Sequence, residues 1–191
     1  MNSVRFQRDG FSGQVTLKIF KPAASHFLHM QIFVRRALES DADSINRIAA
    51  ASWLHTYRDI YDAEEIGRWI ERNYSPETLR KHISVIENDR AYLFIVALVE
   101  NNIEGFMELK VRDRTIELLR IYITPDLTGN GIGSELLRHG ENWMMSNGEG
   151  RLTVSVHKKN LPGVRFYEAR GFRFKEEIEQ HIVLDKNLAG S

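Results

Sequence analysis

Three glycines at alternate positions, Gly129, Gly131 and Gly133, stand between a strand-like run and a helical pattern. The run from Glu117 to Ile123 is rich in branched apolar residues, and apolar residues recur at helical spacing from Ile132 onward. A helix start leaves its first amide N–H groups unpaired and carries partial positive charge, and glycines let the backbone approach a ligand closely. This arrangement predicts a site for phosphate or pyrophosphate, with a tight structural turn as the alternative.

Two common nucleotide-binding patterns match this turn poorly. A P-loop ends in Gly-Lys-Ser/Thr, whereas this turn ends in Gly133-Ser134 and has no lysine. A Rossmann turn has the spacing GxGxxG near the start of a βαβ unit. Here the position three residues after Gly131 is Ser134, and the turn lies late in the chain. Both interpretations are therefore weak.

The stretch TGNGIG at residues 128–133 resembles motif A of the GNAT family of N-acetyltransferases, whose loop reads Gln/Arg-x-x-Gly-x-Gly/Ala. The resemblance implies acetyl-CoA as cofactor, held by backbone amides. The residues it implies for this contact are Thr128, Gly129, Asn130, Gly131, Ile132, Gly133 and Ser134. Thr128 departs from the family pattern, since Gln or Arg is usual there, so a phosphate contact from its side chain stays open.

A second stretch, NLPGVRFYEARGFRF from Asn160 to Phe174, resembles motif B of the family. The family's Phe-Tyr pair matches Phe166 and Tyr167. Acetyl transfer from a thioester to an amine expels a thiolate, which Tyr167 is predicted to protonate as general acid. The alternative is a structural tyrosine that packs its ring and hydrogen-bonds its hydroxyl. The resemblance also implies that Asn160 and Phe166 contact the cofactor, whereas Asn160 by residue type alone would cap a helix.

The acceptor amine must lose a proton, and Glu117 matches an acid found in many family members. Glu117 is predicted to contact the acceptor and to take the proton directly or through water, with a solvated strand-end carboxylate as the alternative. The oxyanion formed during transfer needs a hydrogen-bond donor. The resemblance implies a backbone N–H near Ile121 or Tyr122, where the fourth and fifth strands diverge to admit the pantetheine arm. It places Ile121, Tyr122 and Ile123 among the cofactor-binding residues.

Aromatic and acidic residues stand side by side between residues 51 and 69. Trp53, Tyr57 and Tyr61 are predicted to wall the acceptor cleft. The acids near its rim are Asp59, Asp62, Glu64 and Glu65. Aromatic faces and carboxylates both attract ammonium groups, which favours a cationic acceptor. The alternative is that Trp53 is core and the acids are solvated helix caps.

The pattern SWxxTYxxIY, followed by ExIxxWIxxxYSxExL, and the strand ELLRIYI resemble the PaiA-like branch of the family, which acetylates spermidine and spermine. The similarity covers residues 31–186. It implies an N-acetyltransferase that acts on a primary amine of a polyamine. Two alternatives stay open: an enzyme that acetylates a protein N-terminus or lysine, and an acyl-CoA-binding sensor without turnover.

The composition argues against several classes of protein. Lys+Arg and Asp+Glu both number 26, so bulk charge gives no sign of nucleic-acid binding. The absence of cysteine excludes disulfides and a thiol nucleophile. The seven histidines lack metal-ligand spacing, so no metal is predicted. No apolar run approaches the roughly 20 residues of a membrane helix. We expect a cytoplasmic enzyme with a small-molecule acceptor and no nucleic-acid or membrane partner, and the sequence is compatible with a homodimer.

The order of strand and helix patterns places these residues on an α/β fold. The predicted order is β-α-α-β-β-β-α-β-α-β-β, with a further helical piece starting at Ser75-Pro76, and the resemblance identifies it as the GNAT fold, a mixed central sheet flanked by helices. Residues 30–191 are predicted to form a single acetyltransferase domain. Residues 1–29 are predicted to be an N-terminal extension, either disordered or containing one short strand over Val15, Leu17 and Ile19.

Overall fold

The computed structural model describes residues 31–113, 115–148 and 150–188, so the predicted extension over residues 1–29 lies outside the described residues. The strands are β1 (Ile32–Arg36), β2 (Tyr92–Val99), β3 (Asn102–Arg112), β4 (Thr115–Ile123), β5 (Arg151–His157), β6 (Arg173–Ile178) and β7 (His181–Asn187). The helices are α1 (Ala42–Tyr57), α2 (Ala63–Tyr74), α3 (Pro76–Ile86), α4 (Ile132–Ser146) and α5 (Leu161–Glu168).

The strands form one mixed sheet in the order β1-β2-β3-β4-β5-β7-β6, in which only β4 and β5 are parallel neighbours among the described strands. This confirms the predicted α/β fold. Three helices, not two, separate β1 from β2. The third begins at Pro76, where the Ser75 side chain accepts a hydrogen bond from the Thr78 N–H at 3.3 Å, as expected of a serine cap followed by proline.

Helices α1, α2 and α3 share a hydrophobic core with strands β2 and β3. Apolar residues of α1 recur at i, i+3 and i+4, as in Ile45, Ile48 and Ala49, and all three are fully buried. The partners of this stripe in the core are Ile66, Ile70, Leu79, Ile83, Phe94, Val96 and Phe106. The packing fixes α1 over the centre of the sheet, where the last turn of the helix reaches the end of β4.

Strand β4 pairs with β5 over only three residues, which end at Leu118 and Val154, whereas its pairing with β3 extends over eight. Its register with β3 shifts where the β5 pairing ends: Leu109 faces Leu118, but Glu108 faces Arg120. Leu119 is thus the extra residue of a β-bulge. A bulge bends its strand and increases the local twist, and the two strands diverge beyond it.

A buried carboxylate lies at this bulge. The Glu108 side chain is fully buried, accepts a hydrogen bond from Arg120 Nε at 2.5 Å and lies 2.6 Å from His82 Nε2. Burial opposes its ionisation, but the hydrogen bond from His82 and the charge of Arg120 outweigh that cost, so the pKa of Glu108 lies below its ordinary value. The Arg120 guanidinium stacks over Tyr74 and Phe94, at 5.1 and 5.3 Å from the ring centroids. These contacts hold the bulge in one register.

We expect Glu108→Gln to destabilise the fold by about 3–5 kcal/mol, because it leaves the Arg120 charge buried without a counter-ion. Urea denaturation at neutral pH measures this difference. Glu64→Gln is the matched control, since it removes one partner of the exposed pair between Glu64 and Arg68, and it should cost less than about 1 kcal/mol.

The pH dependence gives a second check on the same variant. A carboxylate whose pKa is depressed by folding stabilises the protein above its unfolded-state pKa and loses that effect as the pH falls through the folded-state value. The difference between the parent and Glu108→Gln should therefore shrink in acid. A Glu108→Gln protein no less stable than the control would show that the ion pair does not maintain the bulge.

Candidate active site

The diverging ends of β4 and β5 open a cavity of about 340 Å³. Strand β4 lines it with residues 118–123 and β5 with residues 154–156, and the end of α1 and the start of α5 close its sides. The predicted site residues in this lining are Tyr57, Ile121, Tyr122, Ile123, Thr128, Asn160, Phe166 and Tyr167. The structure therefore brings residues from motif A, motif B and the first helix to one cavity.

The glycine loop, which we define as Thr128–Ser134, lies beside this cavity and leads into α4. Gly131 precedes the helix with a φ of +90°, a conformation that L side chains rarely adopt. Within the part of the chain that the structure describes, nothing accepts a hydrogen bond from the backbone N–H of Ile132, Gly133 or Ser134. The loop thus presents unpaired donors at the positive end of a helix dipole, which suits an anion.

Gly133 fixes how closely the loop approaches the cavity wall. A Cβ atom at this position would lie 3.0 Å from the Phe166 ring and 3.2 Å from Ile123 Cδ1. Because Phe166 and Ile123 both line the cavity, the first turn of α4 packs directly behind that lining. The predicted cofactor residues Gly129 to Ser134 therefore lie next to the cavity and not in its wall.

Tyr167 is buried in the wall of the cavity, with the rings of Phe166 and Phe172 centred 5.1 and 5.2 Å away. Burial, and to a lesser extent Tyr57, raises the pKa of Tyr167 well above the usual value for a tyrosine. No described residue forms a hydrogen bond with its hydroxyl. The phenol therefore keeps its proton at neutral pH and is free to donate it to a ligand in the cavity.

Asn160 caps α5, since its Oδ1 accepts a hydrogen bond from the Gly163 N–H at 3.0 Å. Its side chain also lies close to the Tyr57 hydroxyl. Burial raises the pKa of Tyr57, and the interaction with Asn160 lowers it by a smaller amount. Asn160 thus both caps α5 and lines the cavity.

Glu117 does not line the cavity. Its Oε2 lies 2.7 Å from Arg112 Nε, and the residue pairs with Thr153 where β4 and β5 are still joined. The side chain is 35% exposed. The role of base remains a prediction, and this placement gives it no support.

A row of aromatic rings runs along the end of α1 and onto α2. The ring centroids of Trp53 and Trp69 are 5.3 Å apart, those of Trp53 and Tyr57 are 4.6 Å apart, and those of Tyr57 and Tyr61 are 6.1 Å apart. Trp53 Nε1 donates to the Tyr122 hydroxyl at 3.0 Å, which attaches the row to β4. Tyr61 and Trp69 are exposed. The row thus offers aromatic surface to solvent beside the strand that lines the cavity.

Three of the four acids near this row are engaged locally. Asp62 and Glu65 form a capping box at the start of α2, each accepting a hydrogen bond from the other's backbone N–H. Glu64 forms an ion pair with Arg68 on the same helix. All three are exposed and keep their negative charge near the aromatic row, but their first role is to stabilise α2.

His157, the last residue of β5, and the two lysines that follow it contact neighbouring elements and the cavity. His157 is buried, and its ring lies 5.4–6.2 Å from three neighbouring rings, those of His181, Tyr61 and Tyr57. Lys158 pairs with Glu177 at 3.0 Å, and Lys159 lines the cavity. His157 is buried although it breaks the alternation of β5, in which Leu152, Val154 and Val156 face inward, so the strand pattern gave no signal for its burial.

The acetyltransferase (GNAT) family matches residues 52–172, which is more than half of the chain. The chain belongs to this family. It is 32% identical over 157 residues to the spermidine N(1)-acetyltransferase of Thermoplasma acidophilum, over 82% of this chain and 98% of that protein.

Solved structures agree with this assignment. The PaiA N-acetyltransferase of Thermoplasma acidophilum, in complex with coenzyme A, matches with a TM-score of 0.79 and 32% identity over 83% of this chain and 99% of that one. The ribosomal-protein-S18-alanine N-acetyltransferase of Escherichia coli matches at 17% identity with a TM-score of 0.61, over 83% of this chain and 94% of that one. The second likeness shows the fold alone.

As a GNAT protein the chain is an N-acetyltransferase, and the cofactor of the family is acetyl-CoA. The residues described above fit it. The unpaired N–H groups of the glycine loop would hold its pyrophosphate, and the opening between β4 and β5 would hold the pantetheine arm. No helix of the described chain is long and apolar enough to cross a membrane. A cytoplasmic location and a homodimer remain predictions.

We expect Gly131→Val to weaken acetyl-CoA binding at least about tenfold, because a β-branched residue is strained at a φ of +90° and crowds the approach of a phosphate. Calorimetric titration with acetyl-CoA measures the affinity. Gly148→Val is the matched control, since Gly148 has a φ of +73° just beyond the opposite end of α4 and a Cβ there would meet no atom within 4 Å. The control should lose stability but retain affinity. If Gly131→Val folds and binds as tightly as the parent, the glycine loop is not the phosphate site.

Proposed function

We propose that this N-acetyltransferase transfers the acetyl group of acetyl-CoA to a primary amine of a polyamine such as spermidine or spermine. The observation that carries this proposal is the 32% identity to a spermidine N(1)-acetyltransferase over nearly the whole length of that protein. The exposed aromatic row beside the cavity supports it, because aromatic faces attract ammonium groups.

The residues of the cavity are suited to the transfer. Acetyl-CoA supplies the acetyl group as a thioester. A backbone N–H of β4 near Ile121 or Tyr122 would donate to the acetyl oxygen as negative charge builds there, since no described strand pairs with the β5-facing edge of β4 beyond Leu118. Tyr167 Oη holds a proton in the buried wall; it would give that proton to the thiolate released when the thioester C–S bond breaks, and would regain one from water.

A route for the amine proton that does not use Glu117 directly is consistent with the residues around the cavity. No carboxylate is among the described residues that line the cavity, and Glu117 is paired with Arg112 outside it. We infer that the amine loses its proton to water in the open cavity. A polyamine amine ionises with a pKa near that of lysine, about 10, so turnover should rise with pH through the alkaline range.

Experiment can distinguish two other functions from this one. A protein N-terminal or lysine acetyltransferase would use the same cofactor site with a peptide as acceptor. An acyl-CoA-binding sensor would keep the glycine loop but release no coenzyme A. The unpaired Tyr167 hydroxyl favours an enzyme over a sensor, because a sensor needs no proton donor in the cavity.

We expect Tyr167→Phe to lower turnover by about 10²–10⁴-fold, the usual contribution of a general acid, and to leave acetyl-CoA affinity nearly unchanged. Coenzyme A release with spermidine measures the rate, and titration measures the affinity. Tyr92→Phe, on a strand away from the cavity, is the control. A turnover within about twofold of the parent would assign Tyr167 a structural role.

Substrate choice is tested by measuring coenzyme A release with spermidine, spermine, a small monoamine and a peptide. The acid variant is Asp59→Asn with Glu64→Gln, which leaves the Asp62 and Glu65 capping box intact. We expect its Michaelis constant for spermidine to rise about two- to tenfold, since exposed charge pairs contribute ~0.2–1 kcal/mol each, with little change for the monoamine. The salt dependence should also flatten, because screening acts on the same attraction.

The control for this variant is Glu87→Gln with Glu100→Gln, which makes the same change in net charge at exposed positions elsewhere. Equal effects of the acid variant on spermidine and the monoamine would contradict a polyamine site. A peptide that is acetylated more efficiently than either polyamine would favour the protein-acetylating function instead.

A further inference from the structure

Arg170 lies just after α5 and reaches back to the start of α4. One terminal nitrogen, Nη1, donates to the Phe166 carbonyl at 2.8 Å, and the other, Nη2, donates to the Ser134 hydroxyl. Its guanidinium carbon lies 3.8 Å from the centroid of the Phe166 ring. Its third nitrogen, Nε, is buried and has no hydrogen-bond partner in the part of the chain that the structure describes. The side chain is thus fixed at three points, with one nitrogen unused.

Among the described residues, the charge of this guanidinium has no counter-ion. No carboxylate of the described residues lies within ion-pair distance of Arg170. The nearest acids along α4 are engaged elsewhere: Glu135 pairs with Arg138, and Glu141 pairs with Lys186. Burial also lowers the pKa of Arg170, which is the expected response of a cation that has lost water without gaining an anion.

This unbalanced charge lies at the glycine loop. Ser134 is the third residue of α4, and the Phe166 ring contacts both the Arg170 guanidinium and the backbone at Gly133. The positive end of the helix dipole and the guanidinium therefore add together. Charges of one sign at this point raise the free energy of the empty site and lower that of a site occupied by an anion.

We propose that Arg170 is a positioning residue for the cofactor's diphosphate. It holds the first turn of α4 against α5, and it supplies the positive charge that Thr128 does not, so that the bound diphosphate becomes its counter-ion. The proposal depends on coenzyme A as the cofactor and not on the identity of the acceptor. Its failure would therefore leave the polyamine proposal untouched.

The test compares three ligands by calorimetry, each titrated into the parent and into Arg170→Met, which keeps the aliphatic stem and removes the charge and donors. We expect coenzyme A and dephospho-coenzyme A to bind about tenfold more weakly to the variant, since charge-assisted hydrogen bonds are among the strongest in proteins. Pantetheine, which carries no phosphate, should bind within about twofold of the parent. The salt dependence of coenzyme A binding should also become less steep.

Dephospho-coenzyme A separates the two phosphate sources. If Arg170 acts on the diphosphate, Arg170→Met should weaken the binding of coenzyme A and of dephospho-coenzyme A by the same factor. If the loss disappears with dephospho-coenzyme A, the charge serves the 3′-phosphate and the proposal is wrong. An equal loss for pantetheine would show that Arg170 only packs the two helices together, and this would also overturn it.

Two further variants keep the test decisive. Arg165→Met removes an exposed arginine from α5 and should leave the binding of all three ligands unchanged. Ser134→Ala removes the hydrogen-bond acceptor on α4 but keeps the charge of Arg170. It should therefore weaken coenzyme A binding by less than Arg170→Met does, and it should leave pantetheine binding unchanged. If Arg170→Met does not fold, Arg170→Gln and Ser134→Ala decide the matter, and coenzyme A binding equal to the parent in both would refute the proposal.

Discussion

The buried ion pair between Glu108 and Arg120 lies at the bulge of β4, where pairing with β5 ends. A continuous parallel pair would satisfy the backbone of both strands and leave no room between them. Because the bulge turns β4 away, the chain gains an opening into its own sheet, with backbone donors along one edge. The cavity, the exposed edge of β4 and the position of Tyr167 all follow from this divergence.

The glycine loop and the α5 cap could be predicted from the sequence because each depends on contacts that are local in the chain. Gly131 precedes its helix directly, and Asn160 caps a helix that begins one residue later. The strands and helices could be predicted for the same reason, because hydrophobic periodicity depends only on the residues within each element. The predicted roles of the site residues remain predictions, although many of these residues meet at one cavity.

Sequence patterns do not fix a residue's surroundings where these depend on long-range packing. Glu117 stands on the same strand as Ile121, but the bulge between them leaves the acid on the paired side of the opening. The environment of His157 depends on rings from α1 and β7, and Arg170 depends on a serine 36 positions away. An acidic residue at a helix start can either cap the helix or attract a cationic ligand, and the residue type does not distinguish the two. Asp62 and Glu65 cap α2.

The short parallel pairing has a further consequence. Three backbone pairs join strands β1–β4 to strands β5–β7 within the sheet, and the cavity walls come from both sets of strands. A ligand bound there contacts both parts at once and favours the folded chain by mass action. The opening that admits the cofactor should therefore also join the two sets of strands more firmly when it is filled, so that the free energy of unfolding rises with the concentration of acetyl-CoA.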